Sequence, residues 1–289
     1  MRVLFVGVFD KDRRSTNTSQ ILELKRLGCD VAGYNYRLKA ASIGTKRRGA
    51  DLISKISTGE YDLVIFTKCN TISEQLFIET GKHAKTCFWF ADALVNYDDE
   101  MRRKTQLVDY CCCDKQNVLE EALKINKRSF LVHEGYDSDV DVPREVEKVH
   151  DISFIGGVYG SRLSMLNGIH KSVKIFSNAY GADHAVAVCS SKINLNFCTT
   201  DGASDRVYKI MAAKGFLLTD DWPNRRKYFI DGKDCVIFNG LEDLNEKIDY
   251  YLANPDKAAL IATAGYEAVK GFTRASWAKQ IINIYDKIK

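Results

Sequence analysis

The stretch from residue 201 to residue 219, DGASDRVYKIMAAKGFLLT, contains the side chains best placed to bind an anion. After a small polar loop, Ser204 or Asp205 can cap a helix whose first turn also holds Arg206. Apolar residues then recur at helical spacing, Gly215 ends the helix, and a short buried strand follows. A helix N-terminus beside an arginine favours phosphate-like groups. An ordinary helix–turn–strand unit, with Arg206 simply solvated, accounts for the same pattern.

A second candidate is the turn FIGG, which ends a predicted strand and opens a predicted helix. Gly156 and Gly157 allow the backbone to approach a phosphate closely, and Arg162 supplies a counter-charge. A tight strand–helix connection explains the two glycines equally well. The chain lacks the phosphate loop GxxxxGK[ST] and the fingerprint GxGxxG, which argues against a nucleotide triphosphatase or a standard dinucleotide site.

The elements that would position these residues alternate between strand and helix. Continuous apolar runs are typical of strands buried on both faces of a parallel sheet. In the first half, strands are predicted at residues 3–8, 31–36, 63–66, 86–90, 107–112 and 130–133, and helices at 16–27, 46–57, 72–83 and 117–124. In the second half, strands are predicted at 152–155, 173–176, 193–197, 216–219 and 235–238, and helices at 162–170, 241–253, 255–269 and 274–288.

A break in this alternation lies at residues 135–150, where glycine, aspartate, proline and a charged run replace apolar residues. We therefore predict an α/β protein of two doubly wound, Rossmann-like domains that face each other across a cleft. The N-terminal domain is predicted at residues 1–140 and the C-terminal domain at residues 150–270.

Ligands of such sheets collect beyond the carboxyl ends of the strands. In the first half these positions hold several polar residues. They are Arg13 and Arg14 after the first strand, Lys68 and Asn70 after the third, and Asp92 after the fourth. Asp92 is the candidate carboxylate for chemistry, and a helix or turn cap is the alternative role for it.

Composition restricts the class of protein. The charged content of 28% and hydrophobic content of 45% are typical of a globular chain, and no apolar run reaches the ~18 residues of a spanning helix. No signal peptide is predicted. The nine cysteines lack framework spacing, which indicates free thiols in a reducing, cytoplasmic compartment. The consecutive Cys111, Cys112 and Cys113 point to alternate faces of a strand and cannot all ligate one zinc, so no metal site is predicted.

Motifs along the whole chain resemble the CgeB-like group of GT-B glycosyltransferases, and the short members associated with bacterial viruses are the most similar. The resemblance is specific in the second half and looser in the first. The motifs that carry it are G-x-F at 7–9, LGCDV, FTKCN, HEGYD, FIGG, SKINLNF, SDRVYKIMAAKGFLLT, the turn with Phe229, Asp231 and Gly232, DLNEKIDYYL and FTRASWA.

The resemblance implies that the C-terminal domain binds a nucleotide-sugar donor, expected to be a UDP-sugar. Gly156, Gly157 and Arg162 would then lie at the diphosphate. Ser204, Asp205 and Arg206 match the family stretch that meets the diphosphate and the sugar. Many relatives carry a ribose-binding glutamate three residues after that arginine. This chain has Lys209 there, which reaches a phosphate or is solvated.

The implied reaction leaves negative charge on the departing nucleoside diphosphate. Arg162, Arg206 and a helix N-terminus could stabilise that charge without a metal ion. Related enzymes retain the anomeric configuration, which demands no strong base, whereas an inverting enzyme would use a carboxylate such as Asp92. The family also implies that the final helix, at 271–289, packs back on the N-terminal domain.

The arginine pairs suggest an acceptor. A basic rim around the cleft would suit a polyanion, although the net charge is only +4 and loop charges are often solvated. With the virus-like resemblance, the predicted partner is double-stranded DNA carrying a hydroxymethylpyrimidine, flipped out for reaction. The first three pairs are predicted in or just beyond loops that follow N-domain strands, and the fourth after a C-domain strand. The pairs are Arg13–Arg14, Arg47–Arg48, Arg102–Arg103 and Arg225–Arg226.

Other functions remain open at this point. Protein, polysaccharide or small-molecule acceptors are equally compatible with the family. A sugar-nucleotide epimerase or hydrolase of the same fold would show donor turnover without an acceptor. A non-catalytic nucleic-acid-binding protein would bind DNA and no donor.

Overall fold

The computed structural model describes residues 1–198 and 202–289, so Asp201 of the predicted polar loop lies outside the described residues. The described chain forms two compact units. Unit 1 contains Met1–Glu134 together with Arg274–Lys289, and unit 2 contains Gly135–Thr273.

Unit 1 is built on a parallel sheet with strand order β2-β1-β3-β4-β5-β6. Its strands are β1 (Arg2–Gly7), β2 (Asp30–Asn35), β3 (Leu63–Thr67), β4 (Lys85–Phe90), β5 (Tyr110–Cys113) and β6 (Ser129–Leu131). Its helices are α1 (Thr16–Arg26), α2 (Tyr36–Ile43), α3 (Thr45–Gly59), α4 (Glu74–Gly81), α5 (Asp99–Gln106), α6 (Gln116–Ile125) and, after unit 2, α12 (Arg274–Ile288).

Helices cover both faces of this sheet, which is why its central strands are apolar without alternation. All four residues from Val3 to Val6 and all four from Leu63 to Phe66 have no exposed surface. Helix α12 covers one face, where the Trp277 ring lies 6.5 Å from Phe5 and 5.6 Å from Trp89, measured between ring centroids. The carboxyl ends of β1, β3 and β4 are held at one edge by the parallel register.

Unit 2 contains a second parallel sheet, with strand order β11-β10-β9-β7-β8 among the described residues. Its strands are β7 (His150–Ile155), β8 (Lys174–Phe176), β9 (Ser191–Asn196), β10 (Leu217–Thr219) and β11 (Val236–Ile237). Its helices are α7 (Ser161–Gly168), α8 (Ala182–Cys189), α9 (Asp205–Ala212), α10 (Gly240–Ala253) and α11 (Pro255–Val269). The predicted α/β class with two parallel, Rossmann-like sheets is confirmed.

Three helices, α2, α5 and α8, are missing from the prediction because each lacks a clear apolar stripe. Helix α2 buries only Tyr36, and it begins where the Asn35 side chain accepts a hydrogen bond from the Leu38 amide. Helix α5 has the strongly charged sequence DEMRRKTQ and begins after Asp98, which caps it. The following strand therefore begins at Tyr110 and not at residue 107 as predicted. Helix α8 consists mainly of small residues. Tertiary packing stabilises these short helices.

Candidate active site

The Arg206 side chain lies at the carboxyl ends of two strands of unit 2. Its Nε donates to the carbonyl oxygen of Ile155 at 2.5 Å, and its Nη1 donates to Oδ1 of Asn196 at 2.8 Å. The guanidinium carbon also lies 4.9 Å from the centroid of the Phe154 ring. Both hydrogen-bond acceptors are neutral, so these bonds orient the guanidinium without neutralising its charge.

Gly156 is required for this position of Arg206. Its φ is +139°, and a Cβ placed on it would lie 2.6 Å from Nη2 of Arg206. A side chain at this position would therefore strain the backbone and collide with the guanidinium. The glycine of the FIGG turn makes room for a protein cation as well as for any ligand.

A second guanidinium, that of Arg162 on α7, contacts the same turn. Its Nη1 donates to the carbonyl oxygen of Gly157 at 3.2 Å, and its central carbon lies 4.6 Å from the centroid of the Tyr159 ring. The Arg162 residue is only 4% exposed. Burial, followed by the positive charge of Arg162, lowers the pKa of Arg206. The buried Arg162 and the partly buried Arg206 repel each other, so a bound dianion is favourable at this site.

The first turn of α9 uses its polar residues differently from the prediction. Ser204 occupies the N-cap position but makes no side-chain cap bond, and its hydroxyl donates to Oδ1 of Asn196 at 3.0 Å. Lys209 forms an ion pair with Asp205, with 2.7 Å between Nζ and Oδ2. Lys209 is therefore held beside the helix start by a carboxylate one turn before it.

Two residues of this site were not predicted. Asn196 is fully buried at the end of β9, where it accepts bonds from Arg206 and Ser204 and donates to Oγ1 of Thr219 at 2.9 Å. His184 on α8 is 6% exposed. Burial, then the positive charge of Lys209, lowers the pKa of His184 to about 3, partly opposed by Asp205. The sequence signal for Asn196 was its position as a polar residue at the end of the apolar run SKINLN. His184 was missed because it lies on α8, a helix that was not predicted.

In unit 1, a cavity of about 420 Å³ opens at the carboxyl ends of β1, β3 and β4. The predicted residues Arg14, Lys68 and Asp92 all line it. Asn17, which was not predicted, also lines it and joins two strands, since its Nδ2 donates to the Val8 carbonyl at 2.9 Å and to Oγ1 of Thr67 at 3.0 Å.

Asp92 forms an ion pair with Nζ of Lys68. Its Oδ1 also accepts bonds from the Ala93 amide at 2.9 Å and from Nδ2 of Asn96 at 3.0 Å. Burial acts to raise the pKa of Asp92, but the bonds from Lys68, Asn96 and Ala93 outweigh it, so this pKa lies below its usual range. Asp92 therefore caps the turn that follows it and also lines the cavity, and its role in the chemistry stays a prediction.

The remaining predicted residues of unit 1 lie in different settings. Asn70 accepts a hydrogen bond from the Tyr36 hydroxyl at 3.2 Å through its Oδ1. Arg13 adopts a φ of +55° in the loop that leads to Arg14, whose amide donates to Oδ1 of Asp10 at 3.1 Å. Arg47 is exposed on α3.

The expectation that all four arginine pairs form a basic rim is wrong for Arg48 and Arg225, which are buried. Arg48 on α3 is 2% exposed and donates to Thr71, and Arg225 is 4% exposed in a short 3₁₀ turn. Successive helical residues point in different directions, so one member of a pair turns inward. Arg102 and Arg103 lie on α5 and form ion pairs with Glu121 at 2.9 Å and Glu74 at 2.6 Å.

Within residues 1–198 and 202–289, no group of three His, Cys, Asp or Glu side chains is arranged to hold a metal ion. Across the same residues, the helices are too short or too polar to traverse a lipid bilayer.

Comparison with known proteins identifies the architecture. Residues 145–283 match a family model described as glycosyl transferase-like. HepE of Anabaena, in a structure with UDP-glucose, is 10% identical with a TM-score of 0.73, and the match covers 99% of this chain and 100% of HepE. The chain has the GT-B fold.

Two further solved structures give the same result. A glycosyltransferase from Rickettsia africae is 14% identical with a TM-score of 0.71, covering 99% of this chain and 98% of that one. An alpha-glucosyltransferase in complex with UDP-glucose and DNA containing an abasic site is 9% identical with a TM-score of 0.73, covering 99% of each chain. No curated protein matches the sequence of this chain. The finer resemblance to the CgeB-like group stays a prediction.

Proposed function

We propose that the protein is a glycosyltransferase that moves a sugar from a UDP-sugar to a hydroxyl group. The observation that carries this proposal is the pair of guanidiniums at the Gly156–Gly157 turn, that of the buried Arg162 and that of the partly buried Arg206. This site lies inside the segment that matches the glycosyl transferase-like family model. Solved structures of the same fold contain UDP-glucose.

Residues 150–270 form the donor domain in this proposal. The UDP diphosphate binds at Gly156 and Gly157, where Arg162 and Arg206 face it. The oxygen of the acceptor hydroxyl bonds to the anomeric carbon as the bond from that carbon to the diphosphate oxygen breaks. Negative charge develops on the departing oxygen, and UDP leaves with the proton of the acceptor hydroxyl. The two guanidiniums stabilise that charge, and their fixed hydrogen bonds mean that little reorganisation is needed. We assign this role to the arginines rather than to a metal ion.

Ser204 and the Asp205–Lys209 ion pair complete the donor site. Lys209 replaces the ribose-binding glutamate of relatives, and Asp205 restrains it at the start of α9. We propose that Lys209 contacts a donor phosphate when UDP-sugar binds.

Residues 1–140 form the acceptor domain, with the cavity of unit 1 as the acceptor pocket. The lowered pKa of Asp92 makes this carboxylate a weak proton acceptor. We propose transfer with retention of configuration, in which Asp92 orients Lys68 and the acceptor and need not act as a strong base.

For the acceptor, we propose a hydroxymethylated pyrimidine in double-stranded DNA. The cations of the pocket, Arg14, Arg37 and Lys68, suit a phosphate-rich ligand. The similarity of fold to an alpha-glucosyltransferase crystallised with DNA supports the same choice. Arg47 is retained in the footprint, whereas the buried Arg48 is removed from it. This proposal places the enzyme in the cytoplasm of a bacterial host, in line with its resemblance to viral members.

The test is a transfer assay read by mass spectrometry. Duplex DNA containing hydroxymethylcytosine is incubated with a pool of nucleotide sugars and digested to nucleosides, with the same duplex containing cytosine as the matched control. A mass gain of one sugar on hydroxymethylcytosine alone supports both the reaction and the acceptor. Consumption of UDP-sugar without a gain on DNA contradicts the DNA acceptor and favours another acceptor or hydrolysis. No consumption and no UDP binding contradicts the glycosyltransferase proposal itself.

A further inference from the structure

The loop after β3 has a strained backbone at the mouth of the acceptor pocket. Lys68 and Cys69 are consecutive residues with positive φ, +58° and +52°, although neither is glycine. The Cys69 amide donates to the Thr67 carbonyl at 2.6 Å, which makes Lys68 the centre of a γ-turn. A γ-turn with positive φ at its centre is rare and strained. Such a conformation persists only where surrounding contacts enforce it.

The first of these contacts is a buried ammonium group. Lys104 on α5 has no exposed surface, and its Nζ donates to the carbonyl oxygen of Cys69 at 2.8 Å. The same Nζ pairs with Glu100 and lies 5.6 Å from the centroid of the Phe77 ring. An unpaired charge in the protein interior costs several kcal/mol, so losing the bonds from Lys104 to Glu100 and to the Cys69 carbonyl would be strongly unfavourable.

The second contact comes from the opposite flank of the loop. The guanidinium of Arg48 donates to Oγ1 of Thr71 at 3.0 Å and to the carbonyl oxygen of Thr71. Because Arg48 is 2% exposed, these bonds are shielded from water. Lys104 therefore binds the loop at Cys69, and Arg48 binds it at Thr71. Asn70 lies between these two positions.

The strained turn has a consequence in the pocket. Lys68 lies at its centre, and its ammonium group forms the ion pair with Asp92. Both side chains line the cavity. Relaxation of Lys68 to negative φ would redirect its side chain and separate this pair.

We propose that Lys104 and Arg48 are positioning residues that hold residues 68–71 in the conformation that presents the Lys68–Asp92 pair to the acceptor. The assignment of the acceptor to this pocket rests on the proposed function. Both cations direct hydrogen bonds to backbone carbonyls of one short loop, Lys104 to that of Cys69 and Arg48 to that of Thr71. Bonds of this kind fix the path of the backbone in addition to stabilising the fold.

The test compares Lys104→Met and Arg48→Met with the wild-type protein. Hydrogen exchange is followed by mass spectrometry in the peptide covering 67–72, where the amides of Cys69 and Ile72 are hydrogen-bonded. Loss of a hydrogen bond to a charged group predicts exchange about tenfold to a hundredfold faster in this peptide. Lys85→Met is the matched control, since it removes a lysine–carboxylate pair at the amino end of β4 and should leave this peptide unchanged.

Steady-state transfer kinetics supply the second readout. We expect an acceptor KM about tenfold higher in both variants, with the donor KM unchanged, and partial rescue in Arg48→Lys, which keeps the charge. Unchanged exchange at 67–72 in both Met variants overturns the proposal, as does an equal rise in the donor and acceptor KM. If the wild-type protein transfers no sugar, the proposed function fails, and the exchange result still decides whether the two cations hold the loop. Circular dichroism identifies any variant that fails to fold. Arg48→Lys, which cannot keep both guanidinium bonds to Thr71, then carries the test: we expect faster exchange at 67–72, and unchanged exchange overturns the proposal.

Discussion

Replacing Gly156 with alanine is the sharpest test of the donor site. The new Cβ would lie 2.6 Å from Nη2 of Arg206, whereas ordinary contact begins at 3.4 Å. The guanidinium must therefore move by roughly 0.8 Å, or the turn must open. Misplacement of a catalytic group by about 1 Å can cost about 100-fold in rate. The φ of +139° adds a backbone penalty of about 1–3 kcal/mol, because this region is almost exclusive to glycine.

Gly157→Ala is the matched control. Gly157 has no positive φ in the range that excludes side chains, and its added Cβ would meet only the ring of Tyr159, at 3.3 Å. The Tyr159 side chain is largely exposed and can move aside. We expect nearly normal stability in this variant and a smaller loss of UDP binding than in Gly156→Ala, because Gly157 also lies at the proposed diphosphate site but its Cβ does not displace Arg206.

The assay has two parts, UDP binding by calorimetry and donor consumption at saturating acceptor. Gly156→Ala should bind UDP at least about tenfold more weakly and turn over about 10- to 100-fold more slowly. Thermal unfolding separates this loss from global destabilisation. If Gly156→Ala binds UDP and turns over like the wild type, or if Gly157→Ala falls equally far, the steric argument at Arg206 is refuted.

Three further predictions concern single side chains. Arg206→Ala should abolish transfer without unfolding unit 2, as measured by turnover and circular dichroism, and normal turnover would remove Arg206 from the site. Arg47→Ala should lower by about one the slope of the logarithm of the DNA-binding constant against the logarithm of salt concentration. Arg48→Ala should lower the free energy of unfolding in urea by about 1.5–3 kcal/mol, because Arg48 is buried. Equal behaviour of the two variants would contradict their different burial. The pKa of the buried His184 is lowered from 6.5 to about 3 in the folded protein. Between these two pH values the unfolded chain binds a proton at His184 that the folded protein does not. The free energy of unfolding therefore falls as the pH decreases from 6.5 to about 3. The free energy of unfolding should decrease by about 1.4 kcal/mol per pH unit there, and His184→Gln should flatten this dependence in urea titrations.

Much of the fold could be predicted because its signals are local. Runs such as Val3–Val6 are apolar at every position, which indicates strands covered on both faces. Helices α11 and α12 have the predicted bounds, since Pro255 starts one and an apolar stripe defines the other. The short helices α2 and α8 could not be predicted, because their stability depends on neighbours distant in sequence.

The candidate site likewise contains some residues that the sequence could indicate and others that it could not. Gly156, Arg162 and Arg206 stand next to strand ends, where the chain topology of a parallel sheet gathers ligand-binding groups. The guanidiniums of Arg162 and Arg206 both lie against the Phe154 ring, and this arrangement depends on how α7 and α9 pack against the sheet. Asn196 was missed because its role comes from hydrogen bonds to residues 8, 10 and 23 positions away.

The alternation of strands and helices and the α/β class with two parallel sheets could be inferred from the order of residues alone, since each signal lies in neighbouring residues. Anion binding at the Gly156 turn stays a prediction from the same local signals. The inward orientation of Arg48 beside the exposed Arg47, and the bond from Lys104 to the Cys69 carbonyl 35 residues away, became evident from the three-dimensional structure. The physical reason is that burial of a charge depends on the acceptors that surround it in space. Sequence spacing specifies which face of a helix a residue occupies, whereas the acceptors come from loops that the fold brings to that face.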